Sequence, residues 1–61
     1  MKEQILELMH DKNYKAMTAQ ELAEKLNIDE DKLIGILDEM EEEYLIKKSK
    51  KKKYNLLENF N

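Results

Sequence analysis

A mainly α-helical fold closed by one small β-hairpin is predicted for these 61 residues, and three observations predict it. Apolar residues recur at helical spacing from Ile5 to Met40. Two helix starts are written into the chain, one at Thr18-Ala19-Gln20-Glu21 and one at Asp29. From Leu45 onward the apolar period shortens to nearly two, the spacing of a strand.

Each element follows from its residues. Ile5, Leu8 and Met9 share one face at i, i+3, i+4, with Leu6 beside them, so a first helix is expected over Lys2 to His10. Asp11-Lys12-Asn13 is a polar break, and Tyr14 to Met17 is a short connection with one or two extended pairing residues. Thr18 to Glu21 is a capping box: the Thr18 hydroxyl accepts from the Glu21 amide, and the Glu21 carboxylate reaches back to the Thr18 amide. Met17 and Leu22 form a hydrophobic staple around that cap, and Ala19, Leu22, Ala23 and Leu26 face inward. Asn27 suits the left-handed residue that ends the helix.

Asp29 is the expected N-cap of a third helix, with Ile28 and Leu33 as its staple and Glu30 and Asp31 against the positive end of its dipole. Leu33, Ile36, Leu37, Met40 and Tyr44 form its apolar stripe, with Ile34 at the edge. Gly35 inside the helix costs roughly 1 kcal/mol relative to alanine, which predicts a close approach there by a backbone or a ligand. Residues 45–49 and 53–57 then pair as a hairpin with Ile46, Tyr54 and Leu56 inward and Ser49 to Lys52 at the tip. The chain closes on an apolar Phe60 followed by Asn61, so residues 1–61 are expected to be a single domain and an N-terminal fragment of something longer.

Composition narrows the function. There is no cysteine, so thiolate zinc sites and disulfides are excluded, and His10 stands alone as a histidine, expected near a helix end rather than as a ligand. No apolar run reaches the roughly 18–20 residues that span a membrane, and the start MKEQILELMH is not a signal peptide, which predicts a cytoplasmic location with no membrane partner. The net charge of −3 conceals a division. Residues 1–46 carry five lysines against thirteen acids, or −8, and residues 47–61 carry six lysines against Glu58, or +5.

Three helices followed by a hairpin describe a winged helix-turn-helix. The lysines Lys47, Lys48, Lys50, Lys51, Lys52 and Lys53 all fall on the wing, where a cation cluster can contact phosphates and release their counterions. The same lysines can instead keep an exposed strand edge soluble, or act as a nuclear localisation signal. Asp31, Gly35, Asp38 and Glu42 lie opposite the apolar stripe of the third helix, an acidic face that disfavours docking in a major groove. The chain has no arginine for the common bidentate contact to guanine. Tyr44 and Tyr54 are expected in the core rather than as stacking platforms, and the four methionines as gap fillers. No phosphate loop and no paired carboxylates are present, so the chain itself is not expected to be an enzyme or to hold a cofactor.

The chain resembles the N-terminal winged-helix domain of the bacterial ribonuclease R family. The resemblance spans nearly all of it: KEQILELM, then MTAQELAEKLNI, then a helix of pattern L-x-x-x-L-x-x-M leading into YLI, and a basic wing closing with KKYNLLE. In the family a glycine commonly precedes the second strand, where this chain has Tyr44, and the wing mixes arginine and glycine where this chain has lysine alone. The resemblance implies a 3′-to-5′ exoribonuclease, a hydrolase whose magnesium-dependent catalytic domain and oligonucleotide-binding domains lie downstream. It assigns no catalytic residue to these positions and implies an accessory role in engaging RNA, with the downstream domains as partners. The expected function is therefore sequence-tolerant RNA binding by a monomer. The alternatives are a regulator that dimerises on DNA through Phe60 or the first helix, and a protein-interaction module that uses the acidic faces.

Overall fold

The computed structural model describes residues 1–60 and contains three helices and a small three-stranded antiparallel sheet. Asn61, the last residue of the expected apolar end, lies outside the described residues. Helix α1 runs Lys2–His10 and buries Ile5 and Met9. It stops at Asp11, whose carboxylate accepts the Asn13 amide at 3.0 Å and whose carbonyl accepts the Tyr14 amide at 2.9 Å. The polar triplet thus turns the chain by offering the backbone a local alternative to the helix. Lys2, at the other end, bonds to Glu39 and Glu43 and ties α1 to the third helix.

Strand β1 is two residues, Met17–Thr18, and helix α2 follows at once over Ala19–Leu26. Both halves of the capping box form: Thr18 Oγ1 accepts the Glu21 amide at 3.2 Å, and Glu21 Oε1 accepts the Thr18 amide at 2.9 Å. Asn27 takes the left-handed conformation at φ 57°, and Ile28 donates back to the Ala23 carbonyl. Helix α3, Glu30–Glu42, starts at Asp29, whose carboxylate accepts the Lys32 amide at 3.1 Å. Leu33, Leu37 and Met40 are fully buried, and Ile36 is half-buried.

One expectation for α3 is overturned and a second is narrowed. Tyr44 is not on the core stripe but 79% exposed. The helix ends at Glu42, and Tyr44 sits at φ 60°, which swings its side chain off the stripe and makes room for the reversal into the sheet. Gly35 marks no close approach by the rest of the chain: a Cβ built there meets nothing within 4 Å among the described residues.

Strands β2, Ile46–Lys48, and β3, Lys53–Leu56, form the expected hairpin, and β3 is central, flanked by β1 and β2. The register pairs Ile46 with Leu56 and Met17 with Tyr54, which sets Ile46, Tyr54 and Leu56 into the core against α1 and α3. Tyr14 closes the sheet edge: its hydroxyl donates to the Tyr54 carbonyl at 2.7 Å and accepts the Met17 amide at 3.3 Å. Burial holds its phenol above the ordinary tyrosine value. A short 3-10 turn, Leu57–Phe60, folds back under β2, with the Leu57 amide donating to the Leu45 carbonyl at 3.1 Å.

Candidate nucleic-acid interface

The hairpin tip is built by a tight turn with an unusual last residue. Ser49 accepts the Lys52 amide on its carbonyl at 2.9 Å, and its hydroxyl accepts the Lys53 amide at 3.3 Å. Lys52 stands at φ 63°, the position that glycine or asparagine normally fills in such a turn. The Ser49 amide donates to the Lys53 carbonyl at 2.9 Å, so the loop is clamped on both sides. A serine at the corner therefore does the work that an Asn-Gly pair does elsewhere.

All six lysines are exposed, as the sequence predicts, but they do not form one patch. Side chains alternate along a strand, and residues paired across strands share a face. Lys47 pairs with Asn55, and Lys53 pairs with Thr18, which places both on the face of the sheet away from Tyr54. Lys47 Nζ lies 5.5 Å from the centre of the Phe60 ring, a cation held over an aromatic face. Lys53 is close enough to Glu21 to help hold that carboxyl low. Lys48 pairs with Tyr54 instead, on the core side of the sheet, with its Nζ 5.9 Å from that ring centre.

Lys48, Lys51 and Lys52 from the hairpin line a groove of about 540 Å³. Glu30, Ile34 and Asp38 of α3 line it too, together with Thr18, Ala19 and Gln20 at the start of α2. Tyr54 forms the floor, only 3% exposed, so it supports the groove and presents no face for a base to stack on. Its phenol is held above the ordinary value by burial first, then by the charges of Glu41 and Asp38. Lys50 lies at the exposed tip outside this lining. Among the described residues, ion pairs form at Lys2 and at none of the six hairpin lysines.

Glu30 and Ile34 were not part of the site read from the sequence. Their signal was present, because residues 30, 34 and 38 follow an i, i+4, i+8 row and fall on one side of a helix. The acidic face expected opposite the stripe is exposed at Asp31, Asp38 and Glu42, and of these Asp38 reaches the groove. His10 is exposed at the end of α1, with Nδ1 2.8 Å from the Leu6 carbonyl.

The fold and this groove define a small, mainly helical domain with a three-stranded antiparallel sheet and a basic hairpin. Comparison with protein-family models, with curated proteins and with solved structures found no match to the chain.

Proposed function

We propose that the chain is a winged helix-turn-helix module that engages RNA through phosphate contacts from its wing. In this reading α2 and α3 are the helix-turn-helix, β2 and β3 are the wing, and the role is accessory: the module brings RNA to other domains of a protein resembling ribonuclease R. One observation carries the proposal. The six exposed lysines, Lys47, Lys48 and Lys50 to Lys53, are held on a hydrogen-bonded hairpin whose inner residues are anchored in the core. Solvated cations held in place are what phosphate contact needs, because each phosphate neutralised releases condensed counterions.

The acidic surface of α3 supports the sequence-tolerant form of this reading. Asp31, Asp38 and Glu42 are exposed where a recognition helix would meet the duplex, and like charge opposes its entry into a major groove. Resemblance to the ribonuclease R domain favours RNA over DNA. The isolated domain is expected to bind RNA weakly, near a Kd of about 10⁻⁴ M at physiological salt. Replacing Lys50 to Lys53 by glutamine removes most of that binding, as measured by fluorescence anisotropy with a labelled oligonucleotide. An unchanged affinity together with an unchanged salt dependence in the variant would sink the proposal.

A further inference from the structure

The groove beside the hairpin is lined by both signs of charge. Three lysines reach it from the hairpin, and two carboxylates with Ile34 between them in the sequence reach it from α3. No ion pair crosses the groove among the described residues. Both sets of charges therefore stay available to a ligand. A ligand that suits them must bring negative charge to one side and hydrogen-bond donors to the other.

A nucleotide in a single strand does this when its base carries an amino group. Its phosphate is an anion, and the exocyclic amine of cytosine, adenine or guanine donates to carboxylates, as in the known pairing of Asp or Glu with cytosine N4. Uracil offers carbonyl oxygens at the matching positions, which a carboxylate repels. The volume of about 540 Å³ lies in the range of about 300–1,000 Å³ that seats small ligands, enough for a nucleotide. Half-buried Ile34 supplies the apolar surface against which a base ring can pack.

We propose that this groove seats one nucleotide of a single strand, phosphate on Lys48, Lys51 and Lys52 and base amine on Glu30 and Asp38, so that the domain prefers amino-bearing bases to uracil. The inference rests on the proposed phosphate contact by the hairpin and adds base selection to it. The acids of α3 that oppose duplex docking then have a use: they face the base while the lysines face the backbone.

The test compares oligocytidylate with oligouridylate of equal length, two pyrimidines that differ little in stacking area, by anisotropy on the whole chain. Oligocytidylate is expected to bind about five- to tenfold more tightly. In the double variant Glu30→Gln with Asp38→Asn both affinities rise because two negative charges are gone, and the ratio falls toward one. In the variant with Lys48, Lys51 and Lys52 all changed to glutamine both ligands weaken alike. Equal binding of the two by the unaltered chain, or a ratio that survives in the double variant, overturns the inference. If that equality is accompanied by loss of binding in the lysine variant, phosphate contact by the hairpin stands and base selection falls. Binding that is absent, or indifferent to the lysines, overturns both.

Discussion

Asn27 and Tyr44 end their helices in the same way and at different cost. In each case the residue is left-handed, its own amide donates three residues back, and the next amide donates five residues back, to Ala23 after α2 and to Met40 after α3. Asparagine tolerates that conformation because its short polar side chain bonds locally; a tyrosine there costs about 1–2 kcal/mol. Tyr44 recovers little of this by packing, being 79% exposed. Tyr44→Gly is therefore expected to stabilise the fold by about 1 kcal/mol, raising Tm by roughly 4–8 °C for a domain of this size. Gly35→Ala is expected to add about 0.5–1 kcal/mol more, since the helix gains propensity and the new methyl meets nothing. The two sites lie about 13 Å apart along the chain direction of the helix, so thermal melts of the single and double variants should show additive shifts. A lower Tm for Tyr44→Gly would mean that the tyrosine ring holds the α3–β2 corner by packing.

At the scale of elements, the joint between β1 and α2 concentrates three functions in Thr18, whose backbone pairs with Lys53, whose hydroxyl caps α2 and whose amide donates to Glu21. Hydrogen bonding to Thr18 holds the Glu21 carboxyl below the ordinary glutamate value, the Thr18 amide contributing most and the Thr18 side chain next. A carboxyl lowered in the folded state contributes stability that is complete above its unfolded value and is lost as pH falls through the folded value. Titration by NMR should therefore give a Glu21 midpoint below that of an ordinary glutamate, with the Thr18 amide resonance moving along the same curve. In Glu21→Gln, whose side-chain carbonyl keeps the capping box, the Thr18 amide should no longer follow that curve. A Thr18 amide that ignores the titration of Glu21 would refute this account of the joint. The box was legible in the sequence because it is local: donor and acceptor lie three residues apart, and the same holds for Asp29 with Lys32 and for the turn at Asn27. Tyr44 was misread because its spacing continues the α3 stripe, and only the position of the sheet decides that the helix stops before it. The site was half legible: the lysines show as a run, but their division between two faces follows from register, and Glu30 joins Lys48 only through tertiary packing.

For the whole molecule, the proposed RNA contact has to be reconciled with a net charge of −3. Distance and screening do so. The domain measures 30 × 25 × 23 Å, and at physiological ionic strength charges are screened beyond about 8 Å, so a strand on the hairpin feels its lysines and few of the acids elsewhere. At about 0.01 M salt the screening length grows to about 30 Å, the full length of the domain, and the −8 carried by residues 1–46 then acts on the strand as well. Two features should follow in a plot of log K against log salt for a single-stranded oligonucleotide. In the physiological range the slope counts phosphates neutralised, at about −0.7 for each, so one phosphate shared by the three groove lysines gives about −0.7, and six lysines each on a phosphate of its own give about −4. Toward low salt the line should flatten, because unscreened repulsion from the acidic body offsets the gain from counterion release. Replacing exposed Asp31 and Glu42 by their amides removes two of those charges without touching the groove lining, and should restore part of the low-salt gain without changing the slope at higher salt. A slope near −4 that stays straight down to low salt would place the whole lysine run on the backbone and deny the groove its special part. A slope near zero would take phosphate out of the account, since lysines that meet only water release no counterions.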